Sequence, residues 1–149
     1  HHVSSPDPSG EGARAAMREA LEEAGLTSEQ VGYLNLHATA TVKNDEMESR
    51  ATAAIFPHGV PCSGTKPLTG HALGSGAALE LAFCWLTLQP HWNPDSLLPP
   101  HRWDGETDPA LPPLRLLNEG ERLGASRICM SNSFAFGGNN LSLLLGPTP

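Results

Sequence analysis

The chain has 149 residues, 39% of them hydrophobic and 17% charged, the size and balance of one globular domain that can bury most of its surface. Its formal net charge is -7 and its only lysines are Lys43 and Lys66, which argues against nucleic acid or an anionic membrane as partner. The three cysteines, Cys62, Cys84 and Cys129, are odd in number and form no C-x-x-C pair, so neither a disulfide framework nor a zinc knuckle is indicated, and a reducing cytoplasm fits best.

The opening stretch "HHVSSPDPSGEG" has no periodicity, and His1 and His2 read equally well as a tag remnant or as native sequence. Ala13, Ala16, Met17, Ala20, Leu21 and Ala24 then recur at i, i+3, i+4, which predicts an amphipathic helix stopped by Gly25. "TSEQ" (Thr27 to Gln30) has the spacing of a capping box around a single helical turn. "VGYLNLH" (Val31 to His37) reads as a buried strand ending at a histidine, and Asp45 and Glu48 open a second helix that runs to about Phe56. Val60 to Gly64 predicts a short strand.

From about His71 the pattern is a helix with hardly any polar face, which implies burial on nearly all sides. The apolar run, Ala72 to Leu88, is too short for the ~20 residues of a bilayer helix and carries Glu80 at its middle, and no signal peptide or anchor is visible. Gln89 to Pro113 holds seven prolines and reads as an irregular but ordered surface connection. Leu114 to Leu117, Arg127 to Ser133 and Asn140 to Leu145 read as strands, the last two joined by a tight turn in "FAFGGN". Strands alternating with helices, followed by a hairpin, predict an α/β domain with a mixed sheet. One sheet and two amphipathic helices are thin cover for a helix apolar all round, so part of its cover is expected from another polypeptide.

Three stretches sit where α/β proteins place their sites, at strand ends and helix starts: "NLHATAT", "GTKPLTGH" and "SNSFAFGGNN". Each has a plain structural reading: a hydrogen-bonded core histidine, an exposed loop lysine and an ordinary Gly-Gly turn. In combination the three resemble the C-terminal half of the β-ketoacyl-acyl carrier protein synthases of the thiolase superfamily. That family's signatures run N-x-H-G-T-x-T, then S-x-T-K-x-x-T-G-H-x-x-G-A-A-G-x-x-E, then S-N-S-F-G-F-G-G-T-N. This chain has "NLHATAT", "SGTKPLTGHALGSGAALE" and "SNSFAFGGNN" in the same order, and the likeness covers essentially residues 1–149. The resemblance implies a thiolase-like α/β fold, present as a C-terminal half-domain with a mixed sheet and one largely buried helix.

The resemblance also implies roles. The family decarboxylates malonyl-carrier protein and uses the resulting carbanion to attack an acyl thioester held on a cysteine. Negative charge develops on the malonyl thioester oxygen, and donors aimed at it lower the barrier; His37 and His71 match those donors. Lys66 matches the lysine behind them, expected to pair with Glu48, since a buried ammonium needs a partner. Glu80 matches the family's buried glutamate. Thr39 and Thr41 match residues that hydrogen-bond the phosphopantetheine arm. Phe136 matches the acyl-gate residue whose backbone N–H joins the other oxyanion hole, and Gly137 and Gly138 form its turn. The implied partners are acyl carrier protein, the N-terminal half of the same enzyme, and a second subunit in a homodimer or a ketosynthase heterodimer. No cofactor and no metal are implied.

The sequence departs from the family at Ala38, Ala40 and Ala135, each a methyl where the family has a smaller or more polar residue, and at Asn139, where it has Thr. These changes point to a divergent subgroup, one handling unusual or polyunsaturated chains. Cys62, Cys84 and Cys129 lie in strand or mid-helix segments and do not match the nucleophile, which the family keeps at a helix N-terminus in its N-terminal half. The chain is therefore expected to be inactive alone. The alternative is a non-catalytic, chain-length-factor-like subunit. Such partners typically lose the catalytic histidines, and both are kept here.

Overall fold

The structure, a computed structural model, describes residues 5–147; the opening segment through Ser4, with His1 and His2, lies outside the described residues. Helix α1 (Glu11–Ala24) forms where the periodicity placed it and buries Ala13, Met17 and Leu21 along one stripe. Gly25 ends it in a left-handed conformation, its N–H bonded to the carbonyls of Leu21 and Glu22. In the following turn Gln30 Oε1 accepts the N–H of Thr27 at 2.8 Å, the reciprocal half of a capping box. Strand β1 (Tyr33–Asn35) and helix α2 (Val42–Ile55) follow, then strand β2 (Cys62–Ser63), a single helical turn α3 (Lys66–Thr69), helix α4 (Gly76–Thr87), and strands β3 (Cys129–Phe134) and β4 (Asn140–Leu145).

The strands form one sheet in the order β2-β1-β3-β4, parallel at the first two pairings and antiparallel at the hairpin. Alternation along β1 and β3 sends their side chains to two different cores. Leu34 and Met130 join Met17, Leu21, Met47 and Ala51 beneath α1 and α2. Tyr33 and Cys129 join Cys84 of α4 with Leu98, Leu117 and Leu123 from the connecting loops. The sheet is therefore mixed, with helices on both faces. No helix among the described residues is long and apolar enough to cross a membrane.

Three expectations are corrected. The predicted strand 114–117 reduces to a single parallel bridge between Leu116 and Cys62, because Pro112 and Pro113 before it have no N–H to extend a ladder. The strand expected over Val60 to Gly64 is only Cys62–Ser63, since the chain turns at once to start α3. Burial of α4 on nearly all sides is met along one stripe alone: Gly76, Glu80, Cys84 and Thr87 are buried, while Leu79, Trp85 and Leu86 are 39%, 47% and 38% exposed. The sheet can cover only one side of a helix, and among the described residues no other helix or strand covers its outer side, which only the Trp92–Pro99 connection approaches, near Phe83 and Leu86.

The proline-rich connection is ordered, as expected. Asn93 accepts from Leu97 N–H at 2.9 Å and donates to the Leu97 and Thr87 carbonyls. Leu97 bridges Arg122, and Leu98 is buried.

Candidate functional site

β1 ends at Asn35, and the next two residues carry His37 beyond the sheet's edge. What holds this end of the chain is Glu48, one turn into α2. Its carboxylate accepts the N–H of His37 at 2.7 Å and of Ala38 at 2.8 Å, with Asn44 Nδ2 donating at 3.2 Å. Burial pushes the Glu48 carboxyl up to about 7, against the pull of those three donors.

Lys66 begins α3 after the two residues that follow β2 and is buried. Its Nζ donates to the carbonyl oxygen of His37 and to Glu80 Oε1, a pair whose side chains are 8% and 3% exposed. The expected pairing of Lys66 with Glu48 is thus corrected: the partner is Glu80. Both oxygens of Glu48 are occupied, by the N–H groups of His37 and Ala38 after β1 and by Asn44, whereas Glu80 lies on the buried stripe of α4 that faces Lys66. Desolvation raises the Glu80 carboxyl, with Lys66 pulling it back, the balance expected of a buried pair.

His71 sits on the exposed loop between α3 and α4. Leu73 N–H donates to its Nδ1 at 3.2 Å, so Nδ1 is the acceptor and the proton of a neutral ring resides on Nε2. The rings of His37 and His71 stand edge to face with centroids 6.0 Å apart, and Phe134, at the end of β3, lies 5.7 Å from His37. The three segments singled out in the sequence therefore meet in one place. Burial, with Lys66 and His71 nearby, lowers the His37 pKa from 6.5 to about 4, so His37 is neutral at pH 7. Its Nδ1 is buried without a hydrogen-bond partner.

Thr39 and Thr41 lie at the rim, their hydroxyls 3.1 Å apart. In the β3–β4 turn Ala135 N–H donates to the Asn139 carbonyl at 2.7 Å, and Gly137 and Gly138 take φ of 77° and 81°, a conformation that favours glycine. The side chain of Phe136 lies outside what the structure describes. No cluster of three or more metal-ligating side chains occurs among the described residues, and Cys62, Cys84 and Cys129 are all buried.

Backbone strain is concentrated here. Of the five non-glycine residues with positive φ among the described residues, Ala38 (41°) and Ala40 (58°) follow His37, and Ala72 (53°) and Leu73 (39°) follow His71. Left-handed alanines cost roughly 1–2 kcal/mol each, and such strain gathers where surrounding structure fixes a site. The sequence reading missed Asn44, which steadies Glu48, and His101, whose Nδ1 accepts the N–H of Gly64 at 2.9 Å. Asn44 sits four residues before Glu48, a helical spacing that could have flagged it. His101 lies in the proline-rich loop, where no periodicity marks it.

Comparison with known proteins places this geometry. Residues 1–98 match the family described as beta-ketoacyl synthase, C-terminal domain. The chain is 34% identical over 148 residues to 3-oxoacyl-[acyl-carrier-protein] synthase 2 of Coxiella burnetii, covering 97% of this chain and 34% of that protein. It superposes with a TM-score of 0.90 and 47% identity on a chain of the complex of the ketosynthase ApeO with its chain length factor ApeC from Xenorhabdus doucetiae, covering 99% of this chain and 36% of that one. A beta-ketoacyl synthase from Burkholderia phymatum STM815 matches with a TM-score of 0.86 and 35% identity, over 99% of this chain and 35% of that one. The chain spans about a third of the length of these relatives. A mixed sheet flanked by helices, three motifs converging at its edge and these matches lead to one conclusion: the chain belongs to the β-ketoacyl synthase C-terminal domain family.

Proposed function

We propose that this chain is the C-terminal portion of a 3-oxoacyl-[acyl-carrier-protein] synthase and that His37 and His71 are the donors that drive decarboxylation of a malonyl thioester. The observation that carries this reading is the pairing of two imidazoles at 6.0 Å, one neutral through burial and the other with its Nδ1 occupied by Leu73 N–H. Both rings can then present Nε2–H to a single oxygen. As the malonyl C–C bond breaks and CO2 leaves, the electron pair moves onto the thioester, and two such donors stabilise the enolate oxygen. The enolate carbon then attacks an acyl thioester on a cysteine, forming the new C–C bond and expelling the thiolate.

Lys66, a cation held in place by Glu80, donates to the carbonyl of His37 and stands behind the rings. Glu48 fixes the backbone on either side of His37. We assign Thr39 and Thr41 to the phosphopantetheine arm, and the backbone N–H of Phe136, carried on the Gly137–Gly138 turn, to the acyl oxyanion hole. The names of the matched relatives support substrates carried on acyl carrier protein and a second subunit as partner. Buried free thiols support a reducing compartment, the cytoplasm, and leave the nucleophile to the N-terminal half; alone, the chain forms no C–C bond. Retention of both histidines favours the condensing subunit over a chain-length-factor role.

The test is His37→Ala and His71→Ala in the full-length protein. Malonyl decarboxylation should fall ~10²–10³-fold in each, with acyl transfer to the cysteine less affected. Unchanged decarboxylation in both variants would show the histidines to be structural only.

A further inference from the structure

Two buried residues separate β2 from the turn that carries Lys66, and the first of them is Gly64. It is gripped from two sides. On one side, a Cβ placed on Gly64 would stand 2.3 Å from the Cβ of Ala38, so the alanine following His37 packs directly against this glycine, and only glycine fits there. On the other side, Gly64 N–H donates to His101 Nδ1 at 2.9 Å.

His101 is anchored in turn. Its own N–H donates to the Leu117 carbonyl at 2.9 Å, and Leu117 N–H donates to the Cys62 carbonyl at 3.0 Å, so the loop is tied back onto β2 itself. Its ring leans on Trp103, centroids 5.9 Å apart, and Asp45 in the first turn of α2 is the charged group that acts on it. An acceptor at Nδ1 means that the proton of the neutral ring lies on Nε2.

We infer that His101 is a positioning residue: its Nδ1 holds Gly64 against Ala38 and thereby sets Lys66, two residues on, beneath the carbonyl of His37. The role rests on the function proposed above. Three segments distant in sequence, the His37 loop, the Lys66 turn and the proline-rich connection, are keyed together at Gly64. The residue does not touch substrate. It acts through Lys66 and His37, whose placement sets how well the two imidazoles converge, and errors of about 1 Å in such placement can cost on the order of 10²-fold in rate.

The experiment compares His101→Asn with His101→Gln in the full-length enzyme. The Asn amide oxygen can stand where Nδ1 stood, whereas the longer Gln places its oxygen nearer the position of Nε2. His101→Gln should lower kcat for malonyl decarboxylation roughly 10- to 100-fold with KM changed by no more than about twofold. His101→Asn should remain within about threefold of the parent. Equal kcat in Asn, Gln and parent overturns the inference, as does an equal loss in both variants.

Hydrogen exchange of the backbone across residues 62–66 is followed in the same three proteins and does not depend on the reaction. Faster exchange there in Gln but not in Asn supports the positioning role; identical exchange overturns it. A parent protein that fails to decarboxylate any malonyl thioester removes the proposed function, and the exchange comparison then decides the positioning alone.

Discussion

The two faces of the sheet are built to different degrees of completion. Beneath α1 and α2 the packing is closed: Met17, Leu34, Ala51 and Met130 are all fully buried in one continuous apolar cluster. Beneath α4 the core is smaller, is completed by loop residues such as Leu98 and Leu117, and holds the buried charges Lys66 and Glu80. The outer side of α4 is left apolar and uncovered. The first face serves stability; the second holds a charged pair next to the candidate site and leaves apolar side chains of α4 partly exposed.

Removing one member of that charged pair should produce the largest effect. Glu80→Ala leaves Lys66 buried without a counter-charge and should cost about 3–5 kcal/mol in chemical denaturation, whereas Lys66→Met combined with Glu80→Leu should recover most of the loss. A cost for Glu80→Ala no greater than that of a surface substitution would mean that the pair is open to water. On the closed face, Met17→Ala should cost about 2–5 kcal/mol by leaving a cavity among well-packed neighbours. A smaller loss than that of a partly exposed residue would break the contrast between the faces.

Acid should act through His37. Its pKa falls from 6.5 to about 4 on folding, so the unfolded chain binds the proton first. The stability it contributes is complete above about 6.5 and is lost as pH falls toward 4, by up to about 3 kcal/mol before solvent screening reduces it. Denaturation midpoints of the parent and His37→Gln, compared between these limits, should converge as pH falls. Parallel curves would place His37 in water.

The smallest effect is expected on the open face. Leu86→Ser should change the stability of this chain by no more than about 0.5 kcal/mol, and, if the proposed N-terminal half covers that side of α4, by about 2 kcal/mol or more in the full-length protein. Equal, small effects in both would mean that nothing covers that side of α4.

Much of this was legible without coordinates. α1 and β4 follow from local signals, a 3.6-residue apolar repeat ending at a glycine and a Gly-Gly turn between apolar runs, because periodicity and turn chemistry are properties of neighbouring residues. The identities of His37, Lys66, His71 and Glu80 as chemistry-bearing residues came from motif resemblance, and the structure brings them to one edge of the sheet.

What the sequence did not determine is which partner each of those groups takes. Lys66 is 18 residues from Glu48 and 14 from Glu80 in the numbering, and nothing local distinguishes the two carboxylates. The choice is made by the sheet, which sets the buried stripe of α4 facing Lys66 while the start of α2 turns Glu48 onto the backbone of His37. The same holds for His101, 37 residues from Gly64, and for the half-covered α4, whose exposure depends on how much of the molecule surrounds it. Spacing and composition report on a residue's neighbours in the chain, but a buried charge or N–H is satisfied by whatever the fold brings within about 3 Å, and only the tertiary structure decides what that is.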